Sequence, residues 1–386
     1  MRVLIAEDDN VMRRILEVSL PKWGHECVSA SDGVEAWRVF QEQDFDLVVT
    51  DWMMPGMNGI ELCQKIKGTA AKRYTYVIIL TSLDSKDHLA HGIEEGADDY
   101  IEKPFEPSEL KARLKAGQRI VDLERTLAAS NKKMKDELVK AASTIDGLLP
   151  VQNKKINNVS VHWHFQPWVY VGGDLFNVFK LDDDHSAFYM LDVSGHGISA
   201  ALLAVSLSHL LRPHRELGGI LKTVDEHGNE TIVQPAQIAK SLNNRFQMDQ
   251  ETEMYFSFIY GIVNHPRMEM RWIRAGHPRP FLMRKDQTET LVNDNPPIGL
   301  IEDTEFTDSV EKLERGDKIA IYSDGIIEAS SRDGQQFGME GLQASIQSQG
   351  VFPAKSVMEN ILKNFEDFRG RTEQEDDISL LLLGIE

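Results

Sequence analysis

The first 120 residues alternate short apolar runs with amphipathic segments of about ten residues, and this alternation restricts the fold more than any other feature of the chain. The apolar runs include Val3–Ala6, Leu47–Thr50 and Val77–Leu80. Buried runs separated by helix-period segments are typical of βα units around a parallel sheet. We therefore predict a doubly wound α/β domain, and such domains bind ligands at the carboxyl ends of their strands.

Charged and polar residues occupy those predicted strand ends, namely Glu7, Asp8, Asp51, Thr81 and Lys103. Together with the segments DWMMPGMNG and KPF, this arrangement resembles the receiver domain of two-component response regulators. The resemblance covers residues 1–120 and implies a sensor histidine kinase as partner.

The receiver resemblance implies that Asp51 accepts a phosphoryl group. A carboxylate can attack a phosphoryl donor only if the charge on the transferred oxygens is neutralised. The resemblance assigns one Mg²⁺ to Glu7, Asp8, Asp51 and the carbonyl of Met53, which are hard oxygen ligands, and a second positive charge to Lys103. It also implies that Thr81 and Tyr100 are switch residues, although Tyr100 could instead be an aromatic residue at the edge of the core.

Apolar residues with a seven-residue spacing dominate residues 121–149. One set is Ile120, Leu127, Met134, Ala141 and Leu148, and the intermediate position holds Asn131, Leu138 and Ile145. This pattern predicts a coiled-coil linker helix, in which a buried Asn131 would favour a homodimer. A single amphipathic helix packed on its own chain is the alternative.

Beyond the linker, four strand-like segments each end beside an acidic residue: Asp192 in LDVSGHG, Asp174 in VGGD, Asp324 in YSDG, and Asp376 with Asp377 in EDDIS. Gly195 and Gly197 after Asp192 would let the backbone and carboxylate close around an ion. Carboxylates at the ends of four strands suggest one acidic cluster. The sequence segments involved are predicted strands at Val161–Val171, Lys318–Ser323 and Ile378–Ile385.

At these residues the chain resembles the metal-dependent Ser/Thr protein phosphatases of the PPM family, in the bacterial partner-switching branch. The matching words occur in the order DGLLP, VGGD, DVSGHG, AGHP, PPIGL, YSDGIIEA, FGMEGL and DDIS. The resemblance implies an α+β domain at residues 150–386, with two packed β-sheets flanked by helices.

The phosphatase resemblance implies two Mn²⁺ or Mg²⁺ ions about 4 Å apart, with a bridging water as nucleophile. Asp192 would bridge the ions. By motif position, Asp174 and the Val193 carbonyl serve one ion, Asp324 and Asp376 serve the other, and Asp377 is the less favoured acid of its pair. His196 could protonate the leaving oxygen, or it could simply belong to the turn.

Two positions depart from the family pattern. Asn177 stands where the branch commonly has a second aspartate. Tyr170 stands where the eukaryotic members have a phosphate-binding arginine. We therefore expect phosphate binding to depend mainly on the ions.

The net charge of −19, from 61 acidic and 42 basic residues, argues against a nucleic-acid partner and a DNA-binding output. The chain has no signal-peptide pattern and no apolar run of the roughly 18 residues that span a membrane. With only Cys27 and Cys63, it is expected to be cytoplasmic.

These features predict a response regulator whose output is a Ser/Thr phosphatase acting on a phosphorylated anti-sigma-factor antagonist. The alternative is a weakly active or inactive module that sequesters a regulatory protein.

Overall fold

The computed structural model describes residues 1–69, 73–82, 96–195, 197–214, 217–248, 254–285, 287–347 and 351–386. The chain forms two compact units, Met1–Lys135 and Asp136–Glu386. Among the described residues, no helix has both the length and the apolar character needed to cross a membrane.

The first unit contains a five-stranded parallel sheet with strand order β2-β1-β3-β4-β5. Its strands are β1 Arg2–Ala6, β2 Glu26–Ala30, β3 Leu47–Asp51, β4 Tyr76–Thr81 and β5 Asp99–Glu102, and its first three helices are α1 Asn10–Lys22, α2 Gly33–Glu42 and α3 Gly59–Gly68. The predicted doubly wound fold is confirmed. The amphipathic segment expected between β4 and β5 lies mostly outside the described residues.

The parallel sheet is buried on both faces, as its continuous apolar strands predict. Within β1, Val3 and Ile5 belong to one hydrophobic cluster, whereas Leu4 and Ala6 belong to another. Alternate side chains of a strand point to opposite faces. The two clusters therefore cover both faces of the sheet, and a ligand can approach it at the carboxyl ends of the strands.

A single helix, α4 (Pro107–Asp146), continues from the first unit into the second. Leu114 and Val121 are buried in the core of the first unit, but further along Leu127 and Met134 are 56% and 60% exposed. The prediction that the helical seam extends to Leu148 is wrong. The helix ends before Gly147, and Leu148 packs against the core of the second unit instead.

The second unit contains two larger antiparallel sheets and a small hairpin. The first sheet has the order β16-β13-β12-β9-β8, and the second has the order β15-β14-β17-β18-β7-β6. The strands are β6 Lys154–Ile156, β7 Val159–Gln166, β8 Leu175–Lys180, β9 His185–Val193, β10 Lys222–Val224, β11 Glu230–Ile232, β12 Phe256–Asn264, β13 Glu269–Ala275, β14 Phe281–Arg284, β15 Gln287–Thr290, β16 Ser309–Lys312, β17 Lys318–Tyr322 and β18 Ile378–Ile385. The helices are α5 Ile198–Leu210, α6 Pro235–Arg245, α7 Asp324–Ile327, α8 Gly338–Ile346 and α9 Ala354–Arg369.

The two larger sheets pack face to face. Phe188 and Trp272 of the first sheet share one apolar cluster with Leu381 of the second. Helices α5 and α6 cover the outer face of the first sheet, and α8 and α9 cover that of the second. The predicted α+β architecture of two sheets flanked by helices is therefore confirmed.

The predicted strand Val161–Val171 extends too far at its C-terminal end. Strand β7 stops at Gln166, and Pro167 follows it. Proline has no N–H to donate to a sheet ladder. The chain after Pro167 therefore leaves the sheet and turns back towards Asp174, the first acidic residue of the predicted cluster.

Candidate functional sites

Three carboxylates of the first unit meet at the carboxyl ends of two neighbouring strands. Strands β1 and β3 pair in parallel with Ala6 beside Thr50, so the next residues, Glu7 and Asp51, emerge together. The carboxylate oxygens of Glu7, Asp8 and Asp51 lie within 4.8 Å of one another. This spacing suits oxygen ligands around one divalent cation.

Lys103 contributes a positive charge to this acidic group. Its Nζ lies 2.8 Å from Oε2 of Glu7 and 3.1 Å from Oδ1 of Asp51. Glu7 is fully buried, and burial raises the pKa of its carboxyl group above the usual value. Burial acts against the charge of Lys103, but its hydrogen bond to Glu7 and the charge of Asp51 raise its pKa overall, so the ammonium group stays protonated.

One buried oxygen of this site, Oε1 of Glu7, accepts no hydrogen bond from any residue that the structure describes. Buried polar atoms normally have a partner. An unpartnered carboxylate oxygen beside two further carboxylates is therefore a good fit for a bound Mg²⁺.

The other residues predicted for the receiver site differ in their exposure and in their contacts. Met53 is 63% exposed, whereas Thr81 at the end of β4 is buried. Tyr100 lies on β5, and its ring centroid is 6.3 Å from that of Trp52. Asp9 has a local role, because its side chain accepts a hydrogen bond from the amide of Met12 and caps α1.

In the second unit, Asp174 and Asp192 lie next to each other at one end of the first sheet. Strands β8 and β9 are antiparallel with Leu175 paired to Leu191, so Asp174 just before β8 is beside Asp192 near the end of β9. Gly173 makes this approach possible. A Cβ atom on Gly173 would lie 2.7 Å from the carbonyl oxygen of Val193.

Asp324 and the Asp376–Asp377 pair come from neighbouring strands of the second sheet. Asp324 follows β17, Asp377 precedes β18, and Tyr322 pairs with Leu380 in the ladder between these strands. The hydroxyl of Ser323 donates to the carbonyl of Asp377 at 3.1 Å. Gly325 fits tightly here, because a Cβ atom on it would lie 2.0 Å from the same carbonyl oxygen.

The acids of the two sheets interact electrostatically across the gap between them. Burial, followed by the charges of Asp324 and Asp376, raises the pKa of Asp192 to about 8. Burial and the charge of Asp376 raise the pKa of Asp324 to about 6. Burial and the charge of Asp192 also raise the pKa of Asp174. In the described part of the chain, these acids do not bring three carboxylate oxygens within 4.8 Å of one another, in contrast to the receiver site.

Asp174 is oriented by two residues of the DDIS segment. It is 1% exposed, and its Oδ2 accepts a hydrogen bond from the hydroxyl of Ser379 at 2.6 Å. Its backbone amide donates to Oδ2 of Asp377 at 3.3 Å. Its Oδ1 is buried and, within the described part of the chain, accepts no hydrogen bond. The orientation leaves one carboxylate oxygen of Asp174 for another ligand.

The two acids of the DDIS segment have different environments. Asp376 is exposed, and its carboxylate accepts a hydrogen bond from the amide of Asp377 at 2.7 Å. Asp377 is buried, and its Oδ1 accepts from the amide of Trp168 at 2.8 Å. Both carboxylate oxygens of Asp377 therefore hold the backbone that carries Asp174. This role of Asp377 and that of Ser379 were not predicted from the sequence, although both residues belong to the DDIS segment.

A cavity of about 130 Å³ lies beside Asp376 and is lined by Gly325, Glu328 and Arg369 among others.

Asn177 does not take part in the acidic cluster, because its side-chain amide donates to the carbonyl of Leu148 at 3.0 Å. Tyr170 is half-buried. His196 lies outside the described residues.

The two units match known families. Residues 3–115 match the model of the response regulator receiver domain, and residues 182–386 match that of stage II sporulation protein E. The fold and these matches thus define a receiver domain followed by a SpoIIE-type domain. Because the second match covers more than half of the chain, the chain belongs to the stage II sporulation protein E (SpoIIE) family.

Individual relatives match one unit or the other. The phosphate regulon transcriptional regulatory protein PhoB of Pseudomonas aeruginosa is 41% identical over 114 residues, which are 30% of this chain and 50% of that protein. The probable transcriptional regulator ycf27 of Porphyridium aerugineum is 40% identical over 121 residues, which are 31% of this chain and 49% of that protein. The chain spans about half the length of these relatives.

Among solved structures, the SiaA-PP2C domain of Pseudomonas aeruginosa superimposes with a TM-score of 0.56 at 18% identity. The match covers 67% of this chain and all of that one. It shows a shared fold.

Proposed function

We propose that the C-terminal domain removes phosphate from phosphoserine or phosphothreonine in a protein, depends on Mn²⁺ or Mg²⁺, and is controlled by phosphorylation of Asp51. The observation that carries this proposal is the electrostatic interaction of Asp192 with Asp174 of the first sheet and with Asp324 of the second. Unscreened carboxylates repel one another. A set of acids from separate parts of the chain is best explained by cations that they hold together.

The acidic residues present fit divalent cations. Asp174 offers a buried oxygen without a hydrogen bond, and carboxylate and carbonyl oxygens suit Mn²⁺ and Mg²⁺. Asp192 interacts electrostatically with both Asp174 and Asp324 and would bridge two ions, one also held by the Val193 carbonyl and the other by Asp376. When bound, the ions lower the pKa of a water molecule and screen the charge of the phosphate group.

Two residues of the DDIS segment orient Asp174 for this role. Ser379 and Asp377 fix Asp174 on the side facing away from its free oxygen. We assign Asp377 to positioning, because both of its oxygens accept backbone hydrogen bonds. His196 remains the candidate for protonating the leaving serine or threonine oxygen.

The receiver domain supplies the control. Asp51 is the proposed phosphoacceptor, a sensor histidine kinase is the proposed donor, and Glu7 and Asp8 would share one Mg²⁺ with it. Lys103 would neutralise the transferred phosphoryl group, and Thr81 and Tyr100 would respond to it. Resemblance to the partner-switching phosphatases suggests a phosphorylated anti-sigma-factor antagonist as substrate.

The exposed seam of α4 supports a homodimer. Leu127 and Met134 lie one heptad apart and are both more than half exposed, although apolar residues at this spacing are normally buried in a coiled coil. A second copy of the same helix would cover them. Pairing would also give the receiver a means of acting on the phosphatase through helix geometry.

The test measures Mn²⁺-dependent phosphate release from a phosphoserine peptide and from p-nitrophenyl phosphate by the full chain. We expect activity in the wild type and at least a hundredfold loss in Asp192→Ala. Asp183→Ala is the matched control, because the Asp183 side chain is 96% exposed in a turn between β8 and β9. A wild type without activity, or an Asp192→Ala variant with full activity, contradicts the proposal. Stable capture of a phosphoprotein without turnover would instead favour a sequestering module.

Regulation is tested separately in the same assay. Beryllofluoride, a mimic of the phosphoryl group, should change the rate of the wild type and leave that of Asp51→Asn unaltered. Equal rates for the wild type with and without the mimic would refute control through Asp51.

A further inference from the structure

His277 lies where the chain crosses from one large sheet to the other. Strand β13 of the first sheet ends at Ala275, and β14 of the second begins at Phe281. His277 is 0% exposed and is anchored by Arg274, whose Nη1 donates to the His277 carbonyl at 2.6 Å. A charged or polar ring so deeply buried needs partners that compensate for lost water.

On one side, the imidazole contacts the strand next to Asp192. Nδ1 of His277 lies 2.8 Å from the hydroxyl of Ser257 on β12. Ser257 pairs directly with Asp192 in the antiparallel ladder between β12 and β9. Directly opposed residues of such a ladder project their side chains to the same face of the sheet. His277 therefore contacts Ser257, the residue that pairs with Asp192.

The same ring is also close to the strand that leads to Asp324. The backbone of Tyr322 interacts with the imidazole and favours its protonated form, although burial and the charge of Arg274 lower its pKa to about 3. Nε2 makes no hydrogen bond of normal geometry in the described structure. Tyr322 ends β17, two residues before Asp324. The neutral ring therefore lies between β12 of the first sheet and β17 of the second, and the Tyr322 hydroxyl also donates to the carbonyl of Arg279, two residues after His277, at 2.8 Å.

We propose that His277 is a positioning residue that sets the separation of Asp192 and Asp324, through Ser257 on one side and Tyr322 on the other, and thereby the affinity of the cluster for divalent cations. This inference rests on the proposed function of the acidic cluster. The histidine touches no ligand itself. Residues that orient metal ligands from behind typically change metal affinity by about 10- to 100-fold when replaced.

The test compares Mn²⁺ affinity, measured by electron paramagnetic resonance, in full-length chains whose receiver site is removed by Asp8→Asn and Asp51→Asn. His277→Phe keeps the ring volume but removes both nitrogens. Ser257→Ala removes only the hydroxyl that contacts Nδ1. Both variants should bind Mn²⁺ at least tenfold more weakly than the parent, while circular dichroism shows an unchanged fold.

His265→Phe is the matched control. Its Nε2 contacts the hydroxyl of Ser186 at 2.9 Å, and these residues adjoin the same two strands, β9 and β12, at the opposite end from Asp192. Loss of this histidine should lower thermal stability and leave Mn²⁺ affinity unchanged.

The outcomes separate the two proposals. A parent chain without Mn²⁺ binding contradicts the proposed metal-dependent function itself. Parent-like affinity in folded His277→Phe, or in Ser257→Ala should His277→Phe fail to fold, overturns the positioning role. Equal losses in His277→Phe and His265→Phe also overturn it, because they would show only a general effect on the sheet.

Discussion

Replacing Asp192 by asparagine should stabilise the phosphatase domain when divalent cations are absent. Burial and neighbouring carboxylates raise the pKa of Asp192 from 3.8 to about 8. A tenfold change in an equilibrium constant is about 1.4 kcal/mol, so ionisation of this group costs the folded state roughly 5 kcal/mol at pH 8. Neighbouring acids share part of that cost, and we expect Asp192→Asn to gain about 2 to 5 kcal/mol in free energy of unfolding.

The sign of the pH dependence follows from the raised pKa. The unfolded chain loses the Asp192 proton more readily than the folded chain. In the wild type, the contribution of protonated Asp192 to folding stability is therefore fully present below pH 3.8 and is lost as the pH rises to about 8. The gain from Asp192→Asn should therefore be largest at pH 8 and fall to less than about 2 kcal/mol at pH 5.

The assay is denaturant unfolding with excess EDTA at pH 5 and pH 8, followed by calorimetry to separate the transitions of the two domains. Asp182→Asn is a control of opposite sign. Partial burial acts to raise the pKa of Asp182, but hydrogen bonds from His185 and from backbone amides lower it overall. Its replacement should destabilise the domain at pH 8.

Adding Mn²⁺ should reduce the stability advantage of Asp192→Asn over the wild type. A ligand at a hundred times its dissociation constant stabilises a protein by about 2.7 kcal/mol, and the wild type should gain this while Asp192→Asn should not. If Asp192→Asn were less stable than the wild type in EDTA at pH 8, or gained equally from Mn²⁺, the electrostatic reasoning would be wrong.

Three further changes test other parts of the account. Asn177→Asp should not strengthen Mn²⁺ binding and should cost about 1 to 3 kcal/mol in urea unfolding, because it replaces a donor to the Leu148 carbonyl with a carboxylate; tighter Mn²⁺ binding would argue for a ligand role. Leu127→Asp should convert a dimer into a monomer in light scattering, whereas Lys133→Asp on the outer face should not; a dimer that survives Leu127→Asp rules out the seam. Lys103→Met should slow phosphorylation by acetyl phosphate about 100- to 1,000-fold, measured by mass spectrometry, and an unchanged rate would remove Lys103 from the chemistry.

Much of the architecture could be predicted from periodicity alone. The continuous apolar runs at Val3–Ala6 and Val77–Leu80 predict parallel strands because only a sheet covered on both faces buries every residue of a run. The strands expected at Lys318–Ser323 and Ile378–Ile385 appear as Lys318–Tyr322 and Ile378–Ile385. The ends of the helices and strands could not be predicted as well. A seven-residue spacing could not show that Gly147 ends α4 and sends Leu148 into the core.

The acidic cluster could be anticipated in its residues but not in its supports. Motif order pointed to Asp174, Asp192 and Asp324, and the charge of Asp192 influences Asp174 while that of Asp324 influences Asp192. Nothing in the spacing shows that Ser379 holds one oxygen of Asp174 or that Asp377 accepts two backbone amides. Those contacts join residues about 200 positions apart, and only the packing of β7, β8 and β18 creates them.

Anomalous diffraction from crystals grown with Mn²⁺ measures the central claim most directly. Two manganese peaks about 4 Å apart should lie among Asp174, Asp192, Asp324 and Asp376, and both should vanish in Asp192→Asn. A phosphatase domain without manganese at these four residues, in crystals whose receiver site contains it, would contradict the assignment.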